Sequence, residues 1–273
     1  MKNFLKNISS YLLGNPLAFL LLNLIFNKSQ MPYVRAVNYH GTPLQDKTSF
    51  ERQLIWYKKN FSNCNKDSLI NFLKFKEWKT KKPGIIISFD DGLLSNYQMA
   101  AKLLEKYQFT GWFMIPAGLI NSKSNKSQRS ELDTMTWEEV IDLRRRKHEI
   151  VCHSMDHNRL SENLTNNELE REVVYSKTVL ENRLNEKISS FAWVGGEEHS
   201  YSHKAFTKIV NANYSEIFCT TAQKIRKDTN PYFLDRVNVE SHFGLYRLRF
   251  MLCGLLDIYY LKKRRKLERM LSL

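Results

Sequence analysis

Short unbroken apolar runs alternate with stretches whose apolar residues recur at helical spacing, from residue 33 to residue 237. Residues 33–40 (YVRAVNYH) predict a strand that stops at Gly41-Thr42-Pro43. Residues 50–60 set Leu54, Ile55 and Tyr57 in an amphipathic pattern and predict a helix. Residues 84–89 (GIIISF) follow Lys81-Lys82-Pro83 without a polar break until Ser88. Such a run predicts a strand buried on both faces, as in a parallel sheet. Asp90-Asp91-Gly92 closes it, after which Met99, Ala100, Leu103, Leu104 and Tyr107 return to helical spacing. Residues 112–115 predict the next strand.

The alternation then continues. Thr136 with Glu139, and Thr165 with Glu168, are capping-box pairs that predict helices over 137–145 and from 165 to about residue 184. Residues 149–152, 188–193, 217–220 and 233–237 read as further strands. Helices alternating with short buried strands imply an α/β fold with a mostly parallel sheet or barrel. No internal repeat interrupts it, and the polar stretch 121–130 (NSKSNKSQRS) predicts a surface loop.

The two ends depart from this pattern, which divides the chain into residues 1–30, 31–242 and 243–273. Lys2 and Lys6 precede an apolar run, residues 11–26, broken by Gly14-Asn15-Pro16 and followed by Asn27-Lys28-Ser29-Gln30. The run lacks the small residues of a cleavage site and is shorter than the ~20 residues of a bilayer span. It predicts an interfacial or core-packed helix, with an uncleaved signal anchor that exports the protein as the alternative. From Leu245 onward, Arg247, Arg249, Lys262, Lys263, Arg264, Arg265, Lys266 and Arg269 outweigh Asp257 and Glu268, among many apolar and aromatic residues. This basic amphipathic C-terminal helix suits an anionic membrane surface; it equally suits a helix packed on the barrel with a solvated basic end.

Charge and cysteine content narrow the partners. A formal charge of +14 implies an anionic partner or surface. Nucleic acid is set aside, because no basic-aromatic platform or recognised binding motif accompanies the charge. Cys64, Cys152, Cys219 and Cys253 form no CxxC pair and read as buried free thiols, which fits a reducing cytoplasm. Cys152 adjoins His153, so a ligand role is an alternative for it.

Two clusters carry candidate chemistry. Asp90 and Asp91 end a predicted parallel strand, where α/β proteins bind ligands. Adjacent carboxylates there call for a cation or a shared proton; a solvated turn with one aspartate capping the next helix is the plainer reading. His153-Ser154-Met155-Asp156-His157 ends another strand, and histidines four apart can face one centre if the segment turns helically. Together the clusters offer Asp-His-His donors suited to zinc or another first-row divalent ion.

Ser88-Phe89-Asp90-Asp91-Gly92 and His153-Ser154-Met155-Asp156-His157 resemble the first two motifs of the polysaccharide deacetylases, carbohydrate esterase family 4, with the likeness running over residues 33–237. The resemblance implies a deformed (β/α) barrel that removes N- or O-acetyl groups from glycans. It also implies Asp90 as general base and Asp91, His153 and His157 as ligands of a divalent metal, zinc by default. Two features depart from the family pattern. The third motif normally holds an Arg-Pro pair that orients the base, whereas the matching strand here reads Phe191-Ala192-Trp193-Val194-Gly195-Gly196-Glu197-Glu198. Trp193, Gly195, Gly196 and Glu197 are the substrate-binding candidates on that segment. The C-terminal Leu-x-His motif is also missing. Tyr39-His40 resembles rearranged relatives in which a histidine near the N-terminus acts as acid, with His242 and His199 as the other candidates. The implied substrate is an N-acetylated amino sugar in surface-polysaccharide or O-antigen assembly, free or as a lipid- or nucleotide-linked precursor. O-acetyl esterase activity and an inactive membrane-bound scaffold are the rival readings. The implied location is cytoplasmic and peripheral to the membrane.

Overall fold

The computed structural model describes residues 14–19, 21, 32–120, 130 and 132–271. Most of the apolar run 11–26, and the polar loop 121–130 apart from Ser130, therefore lie outside the described residues. Among the described residues, eight parallel strands alternate with helices: β1 (Val34–Tyr39), β2 (Ser62–Asn63), β3 (Gly84–Phe89), β4 (Gly111–Ile115), β5 (Glu149–Cys152), β6 (Ser190–Ala192), β7 (Glu216–Cys219) and β8 (Leu234–Asn238). Pairing runs β1-β8-β7-β6-β5-β4-β3, and β1 pairs with β3 to close a seven-stranded barrel. The two-residue β2 extends the β3 edge below β4. The α/β fold expected from the alternation is observed, and it takes the barrel form that the resemblance implied.

Between the strands lie α1 (Lys47–Asn60), α2 (Lys66–Lys74), α3 (Ala101–Lys106), α4 (Trp137–Arg145), α5 (Asn166–Leu169), α6 (Ser176–Leu184) and α7 (His203–Asn211). Both capping boxes form, with Thr136 accepting from the Glu139 N–H and Thr165 from that of Glu168. The long helix predicted from Thr165 contains a π-turn over Glu170–Tyr175, and another π-turn, Asn96–Ala100, leads into α3. The single C-terminal helix expected over residues 243–273 is instead three: α8 (Leu245–Leu252), α9 (Leu255–Tyr259) and α10 (Leu261–Met270). Gly254, with φ +103°, breaks the first from the second. Buried Leu248, Leu252, Leu267 and Leu271 join these helices to the barrel core. Among the described residues no helix is long and apolar enough to cross a membrane.

A period-two pattern sorts the strands. Val34, Ala36, Ile86, Trp112, Met114, Val151, Ala192, Phe218 and Leu234 form one buried cluster inside the barrel. Their neighbours in sequence, such as Val37, Ile85, Ile87, Phe113, Ile150, Phe191, Ile217 and Val237, pack outward against the helices. Burying such a side chain contributes about 1.5–3 kcal/mol, so the filled interior fixes the strand register. Continued toward the strand ends, the inward series turns polar: Asn38 after Ala36, Ser88 and Asp90 after Ile86, His153 after Val151, Arg236 and Asn238 after Leu234. The barrel is apolar at its base and polar at its mouth.

Candidate metal and catalytic centre

Asp91 stands one residue past the mouth-facing Asp90, and its backbone takes φ +69°. Gly92 follows at φ +62°, and the Gly92 carbonyl then accepts from the Met135 N–H at 2.8 Å. The turn swings the Asp91 carboxylate across the mouth toward β5. There Ser154 and His157 also hold positive φ, +67° and +59°. Left-handed backbone at non-glycine residues costs of order 1–3 kcal/mol each and collects at functional sites. The histidine segment is held by Glu172, 2% exposed on the π-turn. Its carboxylate accepts from the backbone N–H groups of Met155 and Asp156, each at 3.0 Å, and from the Asn158 amide at 2.8 Å. The segment is a clamped turn rather than a helix, and it still brings both imidazoles to one point.

Asp91 Oδ1 lies 2.9 Å from His157 Nε2 and 3.7 Å from His153 Nε2. One donor atom from each of Asp91, His153 and His157 falls within 4.8 Å of the others. His153 Nδ1 is 2.9 Å from the Ala192 carbonyl, which can only accept, so Nδ1 carries the proton. With a divalent ion bound, the ring would offer its Nε2 lone pair to it, in the tautomer that metal-bound histidines usually show. Two imidazoles and a carboxylate suit zinc or a similar divalent ion; the donor set fits. Burial pushes the Asp91 carboxyl pKa up, but hydrogen bonds from His153 and His157 outweigh it and hold the group well below the usual carboxylate range. Cys152 takes no part; its thiol lies outward, 3.2 Å from Ser176 Oγ. All four cysteines are free and buried.

Asp90 is held from the opposite side. Arg236, 1% exposed within the barrel, places Nη1 2.6 Å from Asp90 Oδ1 and Nη2 3.2 Å from Oδ2. The Asn38 amide adds a donor to Oδ2 at 2.8 Å, and Arg236 Nη1 also reaches Asn38 Oδ1 at 2.8 Å. Burial raises the Asp90 pKa, yet the Arg236 charge, with smaller contributions from His153, the Arg236 hydrogen bond and His40, brings it below the ordinary value. The carboxylate therefore stays ionised, with a fixed orientation. This arginine is the residue that reading β6 alone misses. The available signal was Asp235-Arg236, two charged residues within an apolar strand, with Arg236 on the same face as Leu234 and Asn238. Asp235 points the other way, its carboxylate accepting from the Thr221 N–H and hydroxyl, and burial pushes its pKa up to about 6.

A cleft of about 430 Å³ joins these groups, lined among others by His40, Asp90, Asp91, His153, His157 and Thr220. His40 is fixed through its backbone carbonyl, which accepts from the buried Asn96 amide at 2.8 Å. Asn96 belongs to the π-turn before α3 and also accepts from Thr42 Oγ1 at 2.8 Å. His242 and His199 are exposed and lie outside the cleft lining. On the β6 segment Gly195, Gly196 and Glu197 line the cleft, but Trp193 does not. Trp193 shares the outward face of Phe191 and stacks at a tilt on Tyr201, centroids 5.0 Å apart; Val194 faces the cleft in its place. Glu197 pairs with Arg159 at 3.2 Å, and backbone N–H groups, with Arg159 and Ser200, pull its pKa down to about 2. Gly195 holds φ +78°, and a Cβ on Gly196 would lie 2.3 Å from Thr220 Oγ1, so this turn requires both glycines.

Residues 77–209, which include both aspartates and both histidines, match the family described as Polysaccharide deacetylase. The Bacillus subtilis protein YxkH, by name a candidate polysaccharide deacetylase, is 24% identical over 205 residues, spanning 73% of this chain and 69% of its own. The Streptococcus pyogenes deacetylase PplD, solved with acetate, superposes with TM-score 0.68 at 18% identity, covering 81% of this chain and 98% of its own. IcaB from Ammonifex degensii gives TM-score 0.67 at 18% identity, covering 82% and 98%.

Proposed function

Because the chain carries a polysaccharide deacetylase family domain, we propose that it hydrolyses N-acetyl groups of an amino sugar in a surface polysaccharide or its lipid- or nucleotide-linked precursor. The observation that carries this reading is the meeting, in one cleft, of the Asp91-His153-His157 donor set with an Asp90 clamped by Arg236. Asp91, His153 and His157 would hold a divalent ion, zinc by default, which supplies Lewis acidity toward water and the acetyl carbonyl. Asp90, ionised and oriented through both oxygens, accepts the proton of the attacking water. His40 donates a proton from its ring to the departing amine. The inactive-scaffold reading loses its motive, since Asp90 has the arginine that β6 lacks. An O-acetyl substrate would use the same groups but needs less from His40, because an alkoxide leaves more readily than an unprotonated amide nitrogen.

Acetate release from an N-acetylglucosamine tetrasaccharide tests the reading. Release should stop after chelation and return with added zinc; full activity in chelator would reject the metal role.

The site stands at the mouth of a barrel whose C-terminal helices expose Ile258 and Tyr259 beside Lys262, Arg265 and Arg269. Exposed apolar and basic groups on one segment support peripheral attachment to an anionic leaflet on the cytoplasmic side, where lipid-linked glycans would be within reach. The protein should then sediment with vesicles containing anionic lipid and release in high salt. Equal sedimentation with neutral vesicles would remove charge from the account.

A further inference from the structure

The basic run at the chain end does not act as one patch. Helical geometry sends its members three ways. Arg264 and Leu267 of α10 enter the core, Lys266 pairs with Glu198, and Lys262, Arg265 and Arg269 face outward. Lys263 instead lines the catalytic cleft together with Tyr260. Its ammonium donates to the Gly196 carbonyl, on the turn that closes the β6 side of the cleft. No carboxylate lies within ion-pair distance of Lys263 among the described residues. The neighbouring cations are already paired, Arg236 with Asp90 and Arg159 with Glu197.

The position is fixed by packing. Arg35, 1% exposed on β1, makes a two-pronged pair with Asp257 of α9 at 2.9 and 3.2 Å, which anchors the helix preceding α10. Buried Leu267 and Leu271 anchor the far end. Lys263 Nζ sits 5.7 Å from the centre of the Tyr260 ring, so an aromatic face adjoins the charge. A half-buried ammonium with one neutral acceptor retains two N–H donors and its full charge for an incoming anion.

We propose that Lys263 makes the outer wall of the cleft a subsite for an anionic group carried next to the acetylated sugar. That group is a uronate carboxylate on the glycan or the phosphate of a nucleotide- or lipid-linked sugar. The subsite rests on the deacetylase reading of the same cleft, and it assigns to the C-terminal helix a part in choosing the substrate.

Calorimetric titration of the full-length, zinc-loaded protein tests it with three probes: a tetrasaccharide alternating N-acetylglucosamine with glucuronate, uridine diphosphate N-acetylglucosamine, and neutral N-acetylglucosamine tetrasaccharide. One anionic probe should bind about tenfold more tightly than the neutral one, a margin of about 1.4 kcal/mol, and which one identifies the source of the anion. Lys263→Gln should abolish that preference and Lys263→Arg should keep most of it, with thermal melts showing both variants folded. Equal binding of charged and neutral probes, no binding of either charged probe at millimolar concentration, or an intact preference in Lys263→Gln would overturn the proposal. Acetate release from the neutral tetrasaccharide, followed separately, reports on the deacetylase reading itself.

Discussion

On one side of the cleft, Asp91, His153 and His157 come from two short stretches, each the end of a strand and the turn after it. On the other side, Asp90 takes its partners Asn38 and Arg236 from 52 and 146 residues away. His40, just past the end of β1, and Lys263, on α10, also reach the cleft. The ligand side is encoded locally: a strand end, a left-handed turn and a clamped loop suffice to aim three donors. The Asp90 side exists only because the barrel closes, setting β1 between β3 and β8. An arginine reaching Asp90 need not stand on any one strand, provided its guanidinium enters the same layer of the barrel. Here it stands on β8, and Asp90 is oriented without one on β6.

Removing Arg236 would separate the two sides most severely. Arg236→Leu leaves Asp90 charged, buried and without its ion pair, which should cost about 3–5 kcal/mol of stability, read from urea unfolding. Acetate release should fall with it, while zinc content stays near that of the parent if the ligand side is independent. Arg236→Lys should be intermediate, since an ammonium cannot span both carboxylate oxygens. Loss of zinc in the folded Arg236 variants would mean that the two sides are one unit.

His40→Ala sharpens the same contrast with a smaller, substrate-dependent effect. Loss of a general acid costs about a hundredfold or more for the amine leaving group of an N-acetyl sugar. For an activated aryl acetate, whose phenolate needs no proton, the loss should be much less. Comparing both substrates on one preparation checks this, and equal losses would reduce His40 to a structural residue.

How much of this was legible in the chain follows the same division. The run Gly84–Phe89 and the pair Thr136-Glu139 announce their elements because burial on both faces and end-capping are short-range demands. The Asp and His motifs were legible for the same reason. Trp193, a substrate-binding candidate by residue type, stands outside the cleft because alternation puts it with Phe191 on the outer face. Arg236 and Lys263 were hidden because their roles depend on which strands meet and where a helix docks. The C-terminal segment looked like one helix because its basic residues mask the break at Gly254, visible only once Asp257 folds back onto Arg35.

The central claim is that Asp90 works as the base beside a metal it does not hold. Acetate release from N-acetylglucosamine tetrasaccharide by zinc-loaded Asp90→Asn protein, with zinc measured on the same sample, tests this most directly. Zinc content should equal that of the parent, while turnover falls by about a hundredfold or more, as expected when a general base is removed. Turnover close to that of the parent, with zinc in place, would contradict the account.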